Sequence, residues 1–323
     1  MTSYFRNAYL VLGTVALFWA GNAIAGKLAV GHVSPMLLTL IRWTLACLFV
    51  APFAWGDVRR EWPEIRRNLP FLFALGAIGF TCFNAIFYLA VNYTSAINVT
   101  IEQSAMPLIV FVANFLLFRT GVTLFQIIGF SLTLVGVALT ASHGELSALL
   151  ALDLNRGDAL MMLAVLIYGG YTVALRFKPK LHWRSTIFVL ALSALVVSVP
   201  LAGIEWAMGH TQLPDTSGMT AALYTAIFPS LLAQVLYIRG IELIGPNRAN
   251  LFVNLVPIFG AILAVLIIGE ELHAYHVAAL TFVLGGIMLA ERGAARARKA
   301  SERSCSRAVR RPLRPRRSAA AWR

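Results

Sequence analysis

Ten apolar runs, each about as long as a helix that crosses a bilayer, leave this chain few folds to choose from. A spanning helix takes about 20 mostly apolar residues, and such runs fall at 8–28, 34–54, 70–90, 96–118, 122–141, 157–177, 185–205, 218–238, 245–268 and 274–291. The composition is 59% apolar and 13% charged, where soluble domains hold roughly 45–50% and about 25%. The runs predict an all-α integral membrane protein with ten transmembrane helices. Ala23-Ile24-Ala25 has the form of a signal-peptide cleavage site. The stretch around it has a counterpart deep in the second half of the chain, so it is read as the first span.

The charges fix an expected orientation. Arg6, Arg59, Arg60, Arg66, Arg67, Arg119, Arg176, Lys178, Lys180, Arg184, Arg239 and Arg248 fall in alternate connections, and the intervening ones hold only Lys27 and Arg156. The positive-inside rule then places both termini in the cytoplasm, as an even number of spans requires. From residue 292 onward there are twelve Lys/Arg against Glu302 alone, so +11 of the net charge of +13 sits in the tail. That tail is rich in Arg, Pro and Ser without apolar periodicity, which predicts disorder over 293–323. Nothing else in the chain is built to read bases, so no nucleic-acid partner is expected, and anionic lipid headgroups are the tail's expected contact.

The chain also repeats itself. An offset of 150 lays Thr100 on Asn250, Ser104 on Asn254, Pro107 on Pro257 and Gly136 on Gly286. An offset of 149 lays Trp19-Ala20-Gly21 on Tyr168-Gly169-Gly170, and Lys27 on Arg176. The predicted organisation is a first five-helix repeat over 8–141, an external linker over 142–156, a second repeat over 157–292 and the tail. Five is odd, so the second repeat enters the membrane from the other side and the repeats are inverted. Inverted repeats supply two related arrangements around a midplane site, which is the physical basis of alternating access.

Phe18-Trp19-Ala20-Gly21-Asn22, Lys27-Leu28-Ala29, Ser34-Pro35, Arg42 within Leu40-Ile41-Arg42-Trp43, and Tyr93-Thr94-Ser95-Ala96 followed by Pro107 resemble a bacterial EamA-type repeat. Gly245-Pro246-Asn247-Arg248-Ala249, Pro257, Gly269-Glu270 and Gly285-Gly286 resemble the end of its partner. The likeness covers about residues 8–292 and lies in the order and duplication of motifs that are weak singly. It implies the drug/metabolite transporter superfamily, whose ten-helix permeases move metabolites, amino acids or drugs across the inner membrane, many of them outward. One departure is plain: where the family shows Gly-Glu after the fourth helix, this chain has Arg119-Thr120-Gly121. A symmetric pair of loop carboxylates is thereby put in doubt.

Glu102 is the leading candidate for chemistry, as the only carboxylate well inside a predicted span. An ionisable group at that depth costs at least ~2.5–3.5 kcal/mol on insertion scales and is usually kept for a function or a partner. Phe252 takes its place in the second repeat. Three roles stay open: a reversible proton carrier, an anchor for a substrate's cationic group, or a structural ion pair with Arg42. Thr100, Ser104 and Pro107, matched by Asn250, Asn254 and Pro257, form polar stripes at helical spacing. They are read either as cavity lining or as interhelical hydrogen bonding. Trp19, Asn22, Asn84, Tyr88, Tyr168, Tyr171, Gln234 and Tyr237 are expected to complete an aromatic wall with polar anchors, suited to a small organic substrate, or else to pack. Gly136 and Gly286 are read as close helix contacts.

Other chemistries find no support. Cys47 and Cys82 lie in spans and Cys305 in the tail, without disulfide or metal spacing. His273 and His276 beside Glu270 and Glu271 are read as a polar turn, in the register of Thr123 and Gln126, and not as a metal site. There is no Gly-x-Ser-x-Gly elbow and no Walker A loop. The reading is a transporter, not an enzyme, without cofactor, driven by a gradient (protons are the candidate) or by exchange; the alternatives are a membrane-embedded sensor or scaffold and an intramembrane enzyme.

Overall fold

The computed structural model describes residues 6–119, 122–145 and 155–309, excluding the side chains of 246, 247, 250 and 294–309. Regular structure among them is helical throughout. In chain order the helices are α1 (Ala8–Leu28), α2 (Pro35–Arg67), α3 (Leu69–Ala90), α4 (Ala96–Phe118), α5 (Leu124–Ala141), α6 (Arg156–Phe177), α7 (Trp183–Ala207) and α8 (Thr216–Ile244). Then come α9, built of Pro246–Leu251 and Phe252–Ile268, and α10 (Ala274–Val309). Nine of these, among the described residues, are long and apolar enough to span a bilayer, and the apolar part of α9 is shorter.

Four helices depart from the expected spans. The second was expected to end at 54 and continues to Arg67, because Ala54, Val58 and Ile65 carry a buried stripe onward while Trp55 and Trp62 face out. Mean hydropathy falls there although the amphipathic period persists. α4 breaks at Ser104–Ala105, and α9 tightens to a 3-10 turn over Phe252–Leu255. Each break lies just ahead of a proline, Pro107 and Pro257, whose ring displaces the carbonyl four residues back and supplies no N–H. α10 continues through Val309, past residue 293 where the basic tail was expected to begin. Residues 310–323 lie outside the described residues, as does most of the expected linker.

The packing shows that the repeats interleave. α2 lies against α7, α4 against α9 and α5 against α10, while α1 packs on α8 and α9 just as α6 packs on α3 and α4. Exchanging the repeats maps every one of these pairings onto itself or onto its mate, as an inverted pseudo-twofold requires. Lipid gives helices no hydrophobic drive to associate, so close backbone approach carries the packing. At the α5–α10 crossing a Cβ on Gly129 would stand 2.4 Å from the Gly286 carbonyl, and one on Gly136 2.7 Å from that of Ala279. Gly136 and Gly286 are thus the close contacts the sequence predicted.

π-helical segments recur as well, at Ala77–Cys82 in α3 and Phe228–Leu232 in α8, in matching parts of the two repeats. The ends of α2 and α7 clasp each other. Glu205 accepts from Ser34 Oγ (2.6 Å) and from the backbone N–H of Met36 and Leu37 at the start of α2. At the other end Glu61 accepts from the His182 N–H ahead of α7 (3.0 Å). Carboxylates suit these positions because the first N–H groups of a helix have no intrahelical partner. On the face away from the basic connections, Asp215 pairs with His32 (2.6 Å) and caps α8. The Gly218 N–H, then His32, hold its carboxyl below the usual range.

Candidate functional site

Two ionisable side chains sit deep in the spans, and they do not meet. Arg42 lies seven residues into α2, about 10 Å down at ~1.5 Å per residue, and is 6% exposed. Its Nη1 donates to Asn22 Oδ1 (2.8 Å), Asn84 Oδ1 (2.8 Å) and the Tyr88 hydroxyl, and its Nε donates to Ser230 Oγ (2.9 Å). The expected pair with Glu102 is not formed. No ion pair among the described residues involves Arg42, and both Glu102 carboxylate oxygens are buried without a hydrogen-bond partner. The physical reason lies in the helix faces: Arg42 points toward α1, α3 and α8, whereas the Glu102 carboxylate is close enough to feel the charge of Asp158 on α6.

The backbone irregularities deliver the Arg42 partners. Within the π segment of α8 the Ser230 hydroxyl donates to the Thr225 carbonyl five residues back (2.8 Å), one of the carbonyls that a π-bulge frees. Its oxygen is left to accept from Arg42. Asn84 follows the π segment of α3 and donates to the Phe80 carbonyl (2.6 Å), turning its own oxygen to Arg42. Tyr88 donates to Asn22 (3.0 Å), closing the cluster across α1, α2, α3 and α8.

Aromatic rings surround the cluster. Trp43 stacks on Phe80 at 4.7 Å, and Tyr168 packs between Phe83 (4.8 Å) and Tyr171 (5.2 Å). Trp19 meets Tyr237 at 5.2 Å. Tyr168 lies within electrostatic reach of both Arg42 and Tyr237. Asn22, Asn84 and Tyr88 contact Arg42, Tyr171 and Tyr168 join them through Phe80 and Trp43, and Trp19 and Tyr237 form a separate ring pair on α1 and α8, all of them picked from sequence. Ser230 and Phe80 were missed, and their signal is the Phe-Pro-Ser run that mirrors the π segment of α3. Two apolar grooves flank the core at symmetry-related places. One of about 640 Å³ lies between α1, α8 and α9 beside Gly21 and Tyr224, and one of about 360 Å³ between α3 and α6 beside Tyr171. Neither is lined by Arg42 or its partners.

A second buried network sits at the end of the bundle opposite the basic connections. The Thr94 hydroxyl donates to Asp158, which is 1% exposed, and Asn98 Nδ2 donates to Thr94 (3.2 Å). His276 Nδ1 accepts from the His273 N–H (3.0 Å), which leaves Nε2 to carry the proton it donates to Asn98 Oδ1 (3.0 Å). His276 is 1% exposed. Its expected register with Gln126 holds, since each side chain accepts from the backbone N–H three residues back, but the start of α10 at Ala274 turns the imidazole inward and buries it. Asp158, the first-turn acid of α6, was missed because it stood at the very edge of a predicted span. Glu270 accepts from the N–H groups of Ala96 (2.7 Å) and Ile97 (3.0 Å), capping α4. That contact explains a Gly-Glu pair after a ninth helix.

The polar stripes divide differently. The Thr100 hydroxyl bonds to its own helix at Ile97 O (2.9 Å), its side chain fills the space over Gly260, and Ser104 bonds back to Thr100 O (3.2 Å). Neither crosses to another helix. Asn254 lies beside the Glu291 carboxyl of α10, Gln234 is half-buried on α8, and the side chain of Asn250 lies outside the described residues.

Comparison with known proteins is consistent with this geometry. The profile of the EamA-like transporter family matches residues 6–142 and 155–291. The chain is 24% identical over 290 residues to the uncharacterized transporter YyaM of Bacillus subtilis, covering 88% of this chain and 93% of that protein. It is 28% identical over 277 residues to an uncharacterized transporter of Archaeoglobus fulgidus, covering 82% and 90%. A crystal structure at 19% identity superimposes with a TM-score of 0.60 over 88% of this chain and 96% of that one, a likeness of fold.

Proposed function

Because the chain belongs to the EamA-like transporter family, we propose that this multi-pass membrane protein is a secondary transporter that carries a small organic molecule outward across the inner membrane by alternating access, with Glu102 coupling transport to protons. The observation that carries the coupling is the Glu102 carboxylate, 0% exposed with both oxygens unpartnered. A structural ion pair would have satisfied it. It also lies just ahead of the break at Ser104–Ala105, where α4 can bend and carry the carboxyl between environments. The matched breaks in α4 and α9 and the matched π segments in α3 and α8 support rocking of one repeat against the other. Both termini lie in the cytoplasm in this reading, following the alternation of Lys and Arg.

The test is reconstitution in liposomes. A candidate solute panel spanning amino acids, organic acids, sugars and cationic drugs is screened by counterflow, and hits are driven by an imposed pH gradient. Movement of at least one solute, with accumulation that collapses when the gradient is dissipated, is the expected result. A bilayer-inserted protein that moves none of them overturns transport, and gradient-insensitive movement overturns coupling alone.

A further inference from the structure

Around Arg42 the donors outnumber the acceptors, and no negative charge answers the positive one. A guanidinium carries five N–H donors. Nη1 and Nε are engaged by four neutral groups, while Nη2 donates to none of the described residues. The adjoining Trp43 indole Nε1 is buried without any hydrogen-bond partner, and the guanidinium carbon stands 5.3 Å from the centre of that ring. Arg42 and Trp43 thus carry unspent donors on adjoining residues, at a depth where an uncompensated charge is costly. Arg42 is held there by partners from both repeats: Asn22, Asn84 and Tyr88 from the first and Ser230 from the second. The matching position of the second repeat holds Ala191, so the fold itself does not need the charge.

Building on the transport reading above, we propose that Arg42 with the Trp43 N–H is the seat for a substrate carboxylate, and that the transported molecule is a monoanionic or zwitterionic organic acid with an apolar or aromatic body. The carboxylate displaces neutral oxygens from the guanidinium fork, whose planar geometry suits two carboxylate oxygens at once. One arginine balances one negative charge. A phosphate ester would bring a second charge with nothing to answer it. The body of the substrate lies along Tyr168 and Phe83, or along Trp19 and Tyr237, where ring faces offer contact without polar demands. Because Arg42 is tied to Ser230, binding that loosens the tie would also loosen the contact between the repeats.

The experiment uses full-length protein in nanodiscs and matched probes: phenylacetate against phenylacetamide, and phenylalanine against phenylalaninamide. Binding is read by tryptophan fluorescence and by thermal shift. Each carboxylate is expected to bind at least tenfold more tightly than its amide, Arg42→Gln to erase that preference, and Arg42→Lys to keep part of it. Trp43→Phe, which removes the N–H and keeps the stack, is expected to weaken the carboxylates severalfold and leave the amides unchanged, and it serves if Arg42→Gln fails to fold. Equal binding of amides, a preference that survives both variants, or no binding by either carboxylate overturns the seat. Counterflow in liposomes separates the two readings: transport of phenylacetamide but not phenylacetate removes the seat and keeps transport, and tight phenylacetate binding without movement of any solute does the reverse.

Discussion

The two ends of the bundle are built on one backbone plan with opposite chemistry. At the end away from the basic connections, Asp158 is tied to Thr94, and through it to Asn98 and His276, while the unpartnered Glu102 carboxylate lies near enough to Asp158 to feel its charge. Their counterparts at the basic end are Phe252 and Tyr9, whose rings meet edge-on at 5.7 Å. Glu270 caps α4, and the residue in register with it is Thr120. Yet the π segments, proline breaks and glycine crossings are present in both repeats. On the transport mechanism proposed above, what both repeats keep would serve the motion of the fold, since alternating access needs each half to adopt the other's shape. On the same proposal, what only one repeat carries would serve the cargo or its direction.

The largest test of that division is at Glu102. Glu102→Gln is expected to abolish pH-driven accumulation, more than tenfold in initial rate, while Phe252→Leu at the matching position changes it less than about twofold. Proton-independent exchange should survive in Glu102→Gln, because shape and packing are preserved. Since Arg42 and Glu102 are not paired, Arg42→Gln should not rescue the stability of Glu102→Gln, and their effects on melting temperature should add within about 0.5 kcal/mol. A coupling well beyond that would show the two groups meeting in some state of the protein.

The next test concerns packing at two helix pairs that the pseudo-twofold relates, α3 on α6 and α1 on α8. A Cβ on Gly79 of α3 would stand 2.1 Å from Cδ2 and 2.3 Å from Cγ of Tyr171, the rooted end of that ring. On Gly21 of α1 it would meet the hydroxyl of Tyr224 at 2.0 Å, the far and movable end. Overpacking of this kind costs about 1–3 kcal/mol, so Gly79→Ala is expected near the upper figure and Gly21→Ala near or below the lower. Thermal unfolding in detergent ranks them, and the reverse order would mean that the Tyr171 ring is free to swing.

The capping carboxylate comes third. Glu270→Gln leaves the Ala96 and Ile97 N–H groups with a neutral acceptor, an effect of about 1 kcal/mol for loss of a charged cap. Loss of the cap should also raise hydrogen exchange at those two amides. Unchanged exchange would indicate that solvent or another group already serves them.

The span pattern, the inverted repeat and most of the Arg42 neighbourhood were legible in the sequence, because hydropathy, proline positions and aromatic-polar stripes are periodic signals that survive without contacts. Asn22, Asn84 and Tyr88 come from two helices and still stood out as polar residues in apolar runs. The pairing of charges was not legible. Arg42 and Glu102 lie at similar depth on helices that begin at the same face, so sequence distance favoured a bridge that helix rotation forbids. Asp158 and His276 were hidden by position, since an ionisable group in the first turn of a span looks like a surface group until the neighbouring turns close over it. The extended end of α2 was hidden in a third way, because hydropathy drops at Trp55 while the buried stripe through Val58 and Ile65 continues.

The smallest effect is expected from the segment that belongs to neither repeat. Gly293 still packs against Phe125 and Thr123 at the start of α5, whereas the charge lies beyond it, with +11 of +13 in residues 292–323. A chain cut after residue 293 keeps that contact and every pairing of the pseudo-twofold. It loses most of its basic charge, whose attraction to anionic lipid is worth about 1 kcal/mol per residue only near the membrane surface. Melting temperature and transport rate of the truncated protein are therefore expected to match those of the full chain in neutral-lipid liposomes. With anionic lipid the full chain alone should show added, salt-sensitive stabilisation, because such attraction fades within a Debye length of about 10 Å at 0.1 M salt. Failure of the truncated chain to insert would mean that the helical stretch through Val309 is part of the folded core, and the division between a symmetric bundle and an appended basic segment would have to be redrawn.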